Sequence, residues 1–205
     1  MMEAFPPLIR SRAVVLRLEN VDTDVITPIA RVLQGRAAVV QYAFESLRFG
    51  PDGHRLTTDP FGDPAREGAQ ILIAGRNFGC GSSRETAAWA LRGLGLLVVV
   101  ASSFGDIFYS NCLKNGVLAI RLAPDVIGDI MRVADELADI EVDLPSQRLR
   151  YGAAELSFEI GGLPKEMLLS GLDEIGMMQA REASQTAFEA QDDLRRPWVR
   201  IRRPS

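Results

Sequence analysis

The spacing of apolar and polar positions changes along the chain, and each change of period marks a predicted element. Residues 11–18, SRAVVLRL, make one strand-like run, and ENVDTDVITP after it reads as a polar turn closed by Pro28. From Arg31 to Gly68 no period persists, and FGPDGHRLTTDPFGDP is dense in Gly, Pro and Asp, so this stretch reads as loop-rich. AQILIAG (69–75) is a short apolar strand, followed by a glycine turn, a helix over 83–92 with Gly93 and Gly95 as stops, and LLVVVAS as a second strand. The unit repeats at once. SFGDIFYSNCLKNG predicts a helix ending at Gly116, VLAIRL a third strand, and Pro124 opens the amphipathic helix DVIGDIMRVADELAD. The middle of the chain is therefore predicted to be a parallel β-α-β core. Beyond it IEVDLP, RLRY and ELSFEI alternate as a short β meander, and PKEMLLSGLDEIG and QAREASQTAFEAQDDL turn helical. The fold class is α/β, with one domain expected over residues 1–193 and a basic, flexible tail over 194–205, RPWVRIRRPS with its preceding Arg195 region, that frays into solvent. No internal repeat of fixed period is present.

Composition narrows what such a chain can do. With 205 residues and 47% hydrophobic content it can bury a core as one domain. A net charge of −4 argues against a general nucleic-acid binder, which needs a basic surface to displace counterions from phosphates. Small molecules and proteins are the expected partners. No apolar run approaches the roughly 20 residues that span a bilayer, and the start MMEAFPPLIRSR lacks a secretory hydrophobic core, so no membrane contact and a cytoplasmic location are expected. Cys80 and Cys112 are too few for a disulfide framework and read as free thiols.

The glycine turn carries the candidate chemistry. In GRNFGCGSSRETAAWALRGLG (75–95) a strand ends in glycines ahead of a helix, where backbone N–H groups without intrahelical partners, together with the helix dipole, attract anions. Ser82 and Glu85 also stand at the S-x-x-E spacing of a capping box. Arg84, predicted in the first helical turn, would there oppose the dipole at a cost of about 0.3–1 kcal/mol, which a bound anion would offset. A capped turn and an anion site both remain open on local chemistry. The turn lacks the lysine of a P-loop, and Arg84 stands where a dinucleotide fingerprint needs its third glycine. A substrate carboxylate thus fits better than a nucleotide phosphate. In NVDTDVITP, Asp22 and Asp24 flank Thr23; no further acid or His completes a metal shell nearby, and Asp and Thr are also turn formers. Arg31 and Arg36 could clamp a second carboxylate, an ordinary solvated arginine being the alternative for each.

NVDTDVITP, ILIAGRNFGCGSSRETAAWAL, SFGDIFYSNCLKNG and LSGLDEIG, in this order and spacing, resemble the small subunit of 3-isopropylmalate dehydratase, the aconitase-type isomerase of leucine biosynthesis. The resemblance covers nearly the whole chain. It implies a swivel-type β/β/α domain that acts with a separate large subunit carrying a [4Fe-4S] cluster, and a reaction that moves a hydroxyl between adjacent carbons of a substituted malate by dehydration and rehydration. A cluster needs three or four thiolates and this chain has only Cys80 and Cys112, so no cofactor is expected on it. The resemblance further implies that Ser82 removes the proton beside a carboxylate, that Ser83, Arg84 and Arg36 bind the small dicarboxylate, and that Asp22, Thr23 and Asp24 shape the mouth of the site. Cys80 reads as a packed thiol and His54 as a solvent-exposed loop residue. Thr86 stands where the family usually has histidine, and Ile29 where a polar residue follows the proline. These departures keep two alternatives open: a paralogous hydro-lyase subunit for another substituted malate, and a non-catalytic regulatory subunit.

Overall fold

The computed structural model describes residues 3–173 and 175–179, with the single positions 188, 192, 195 and 196 beyond them. Two four-stranded sheets organise these residues. One is wholly parallel, with β2 (Ala13–Leu16), β3 (Ile71–Ala74), β4 (Val98–Ala101) and β5 (Leu118–Arg121) side by side in chain order. Each of these strands is apolar on both faces, as a sheet covered on both sides requires. The other is antiparallel, in the order β1 (Leu8–Ser11), β6 (Ile140–Asp143), β7 (Arg148–Tyr151), β8 (Ala154–Ser157). The predicted meander is thus present, with one addition: the amino-terminal strand borders β6, Leu8 opposite Asp143.

That addition corrects the reading of residues 11–18 as a single strand. The run holds β2 at 13–16 as expected, but its first residue, Ser11, closes a preceding strand, β1, and the chain passes from one sheet to the other at Arg12. Burial explains the break: β1 alternates exposed and buried positions, as an antiparallel strand with one wet face does, whereas β2 is buried on both faces.

Strand order running in one direction, with crossovers of one hand, places every connection on the same face of the parallel sheet. On that face lie α1 (Thr23–Ile26), α2 (Ile29–Val32), α3 (Arg36–Gln41), α4 (Glu45–Arg48), α5 (Thr86–Gly93) and α6 (Asp106–Lys114), around a core of Ile26, Phe44, Phe78, Leu91 and Phe108. The opposite face is covered by α7 (Pro124–Asp135) and the antiparallel sheet, whose Ile9, Ile130, Ile140, Val142 and Leu149 form a second core. Pro124 opens α7 as predicted. Helix α8 (Gly162–Ser170) ends at Gly171 in the left-handed region, φ 68°.

Two other expectations need correction. The stretch from Arg31 to Gly68 holds helices α2 to α4 in its first half and a 3-10 turn at Pro64–Arg66, and only its middle is without helix. It is anchored by Arg48 and Asp59, both buried, with Arg48 donating to the Ala43 carbonyl at 2.7 Å. The helix predicted over 83–92 starts at Thr86 instead, because Ser82 and Arg84 are drawn into side-chain contacts with the first loop. The helical reading of QAREASQTAFEAQDDL and the tail reading lie largely outside the described residues.

Candidate active site

Three loops meet beyond the carboxyl ends of β2, β3 and β4, the edge of a parallel sheet where ligands bind in open α/β folds. Backbone hydrogen bonds fasten them together. The Gly79 amide donates to Val21 O at 2.7 Å and the Thr23 amide to Cys80 O at 2.9 Å, which joins the first loop to the glycine turn. On the other side the Phe78 amide donates to Ser103 O and the Gly105 amide to Phe78 O, each at 3.0 Å. The approach demands glycine at two places. A Cβ on Gly79 (φ 71°) would overlap the Phe108 ring, and one on Gly105 would lie 2.6 Å from the Gly79 carbonyl oxygen.

Inside this frame the D-T-D loop and the S-S-R turn interlock. Asp22 caps α1, accepting from the Val25 amide at 2.8 Å, and so turns Thr23 inward, where it is 1% exposed. The Thr23 hydroxyl lies 2.7 Å from Ser82 Oγ. Arg84 Nε donates to the same Ser82 oxygen at 2.8 Å, while its Nη2 pairs with Asp24 at 2.6 Å and its Nη1 reaches Thr27 O at 3.4 Å. Thr23 Oγ1 already accepts from the Ser82 amide at 3.3 Å and from Arg84 Nη2 at 3.5 Å, so its own proton is free to point at Ser82 Oγ. Two donors then converge on one seryl oxygen. Beside it a cavity of about 270 Å³ is lined by Gly79, Gly81 and Ser82 and by Gly105 to Phe108 at the start of α6.

This geometry revises how the turn is built. Ser82 does not cap α5; Glu85 occupies the N-cap position and its side chain makes no capping bond to the helix backbone, so the capping box is not formed. Arg84 lies ahead of the helix, not in its first turn, and Asp24 neutralises it. Ser83 is exposed, its carbonyl accepting from Asn111 Nδ2 at 3.3 Å.

Arg36 is not in the hydrogen-bonded cluster. It opens α3 on the surface, and its guanidinium stands 5.2 Å over the Trp89 ring. Arg31 is engaged elsewhere: it forms a two-point ion pair with Glu45 and lies 3.8 Å over Tyr42. Hydrogen bonding to Arg31 holds the Glu45 carboxyl below its ordinary range and raises the guanidinium. Cys80 is half-buried in the turn, whereas Cys112 is sealed in the core, where burial pushes its thiol up. His54 is exposed in its loop. The Thr86 hydroxyl points inward without a hydrogen-bond partner among the described residues. Among the described residues no group of three or more His, Cys, Asp and Glu stands where it could hold a metal ion, and no helix is long and apolar enough to cross a membrane. A larger cavity of about 660 Å³, between Arg17, Arg55, Asp59, Arg66 and Asp135, shares no residue with the cluster.

Sequence reasoning missed Thr27, Asn111 and Asn115. The amide of Asn115 donates to Glu85 Oε1 and to Asn111 O, each at 2.8 Å, and its carbonyl accepts from Trp89 Nε1 at 3.0 Å. The available signal was the spacing of four between the two asparagines, which sets Asn115, the C-cap of α6, one turn beyond Asn111.

A parallel sheet backed by a small antiparallel one, with a serine-arginine turn at the edge, and a match of residues 58–125 to the aconitase C-terminal domain define an aconitase-type swivel domain. Comparison with known proteins is more specific. The chain is 43% identical over 187 residues to the 3-isopropylmalate dehydratase small subunit of Jannaschia sp. (strain CCS1), covering 89% of this chain and 92% of that protein. It is 39% identical over 203 residues to the small subunit of Afipia carboxidovorans, covering 97% and 100%. A crystal structure of 3-isopropylmalate dehydratase from Methanocaldococcus jannaschii superposes with a TM-score of 0.63 at 25% identity, over 88% of this chain and 98% of that one. The chain belongs to the 3-isopropylmalate dehydratase small-subunit family.

Proposed function

We propose that this chain is the small subunit of a heteromeric hydro-lyase that interconverts 2-isopropylmalate and 3-isopropylmalate by dehydration and rehydration in leucine biosynthesis. The observation that carries the reading is the Ser82 oxygen, held 2.7 Å from the Thr23 hydroxyl and 2.8 Å from Arg84 Nε. A free serine is far too weak an acid to yield an alkoxide near neutral pH, and donors fixed on its oxygen before reaction favour the ionised form. In this reading Ser82 takes the proton from the carbon beside a carboxylate, and the Arg84 charge with the Thr23 hydroxyl stabilises the oxyanion before the transfer. Arg84 and Ser83 receive that carboxylate, the diacid displacing Asp24 from the guanidinium, and Arg36 reaches the second carboxylate from α3. Asp22 and Thr23 fix the wall of the mouth.

Two thiols, one sealed in the core, do not fit a [4Fe-4S] cluster, so the cluster is assigned to a large subunit, where it supplies the Lewis acid. The chain then acts in the cytoplasm as one half of a two-subunit enzyme. Relatives between 36% and 43% identical that bear this one name favour isopropylmalate over a paralogous substrate.

Reconstitution with a large subunit tests the assignment, with the interconversion of the two isopropylmalates followed directly. The pair turns over and neither chain does alone. Ser82→Ala lowers kcat about a thousandfold or more while the pair still forms. Turnover by the isolated chain, or parental kcat in the Ser82→Ala pair, overturns the proposal.

A further inference from the structure

Arg36 makes no ion pair and no hydrogen bond among the described residues; what fixes its guanidinium is the face of Trp89, 5.2 Å below. A cation held over a ring keeps its N–H donors free at the rim, which suits a group that must meet an incoming carboxylate. The ring is itself fixed. Trp89 Nε1 donates to Asn115 Oδ1 at 3.0 Å, and both amide protons of Asn115 are used, one on Glu85 and one on the Asn111 carbonyl. The orientation of that amide is unambiguous, since an indole N–H only donates and a carboxylate only accepts. Glu85, the N-cap of α5, and Trp89 within it lie four apart, opposite Asn111 in α6 and Asn115 at its C-cap. The same amide that locks the ring therefore also holds the end of the serine turn.

We propose that Trp89 is a positioning residue for Arg36, locked in place by Asn115, and that this pair of side chains presets the clamp for the second substrate carboxylate. The inference rests on the assignment of Arg36 to substrate binding made above. Without the platform, the long Arg36 side chain samples many rotamers in solvent, and binding the diacid must order it.

The test uses the full chain with its large subunit and 2-isopropylmalate as probe. Trp89→Leu raises KM about tenfold with kcat within about threefold of the parent, and Trp89→Phe, which keeps a ring face, restores most of the loss. Asn115→Leu, which leaves the ring but removes its lock, shifts KM in the same direction. In a double-mutant cycle, Trp89→Leu adds nothing to the KM defect of Arg36→Gln, because the platform acts through that guanidinium. Multiplying defects, an unchanged KM in Trp89→Leu or in Asn115→Leu, or a silent Arg36→Gln each overturn the proposal. If Arg36→Gln is silent while Ser82→Ala still abolishes turnover, the clamp assignment falls and the catalytic reading of Ser82 stands. If Ser82→Ala turns over normally, the catalytic reading falls independently of the KM results.

Discussion

At the scale of single residues, the site is a contest for one oxygen. Thr23 and Arg84 both aim at Ser82 Oγ, and each is aimed by something else: Thr23 by the Asp22 cap on α1, Arg84 by Asp24 and the Thr27 carbonyl. In the proposed mechanism, removing one donor weakens, without abolishing, the field on the Ser82 oxyanion. Thr23→Val, nearly equal in volume, is expected to lower kcat by about one to two orders of magnitude with KM within about threefold; steady-state kinetics of the reconstituted pair measure it. Ser82 and Arg84, which meet in the cluster, were legible as neighbours because their motif is contiguous, whereas Ser83 between them is exposed and bonds through its carbonyl to Asn111. The partnership of Thr23 with Ser82 was legible only as membership of the mouth, since no local rule links hydroxyls on separate loops. Arg84 was misjudged as helical for the same reason: the contacts that hold it out of α5 come from Asp24 and Thr27, a distant part of the chain.

At the scale of elements, periodicity succeeded for helices of eight residues or more and failed for those of four to six. Helices α1, α2 and α4 are four residues each, too short to display a period of 3.6, and so their stretch read as loop. The break at Arg12 was invisible because an apolar run says nothing about which sheet each part joins. These short helices are held by side-chain pairs, the Arg31–Glu45 ion pair joining α2 to α4 being one. Because Arg31 depresses the Glu45 carboxyl, the pair stabilises the fold above the ordinary carboxylate range, and that stabilisation is lost as pH falls through the depressed folded value. Thermal melts of Glu45→Gln against the parent should show a constant deficit from neutral pH to about pH 5, closing on further acidification.

At the scale of the whole molecule, the one-directional strand order separates support from chemistry. All the loops of the site, and α1 to α6, lie with the core on one face of the parallel sheet; α7 and the antiparallel sheet pack on the other. Damage to the second core should therefore cost stability and spare recognition. Ile130→Ala, at a fully buried position of α7, is expected to destabilise by about 2–5 kcal/mol while the folded pair keeps its KM, which denaturant unfolding and kinetics together check. The parallel core and the meander were readable from alternating strand and helix periods. Their assembly into two back-to-back layers was not, because it depends on β1 finding β6 across most of the chain.

That seam has a temporal meaning. A polypeptide emerging from the ribosome can complete its four parallel strands while Leu8–Ser11 still lacks a neighbour, for Ile140–Asp143 has yet to emerge. The Phe5 amide waits longer still, for the Leu168 carbonyl that receives it. This early segment is thus among the last to be stitched in, and until then its free edge is the nascent protein's exposed flank.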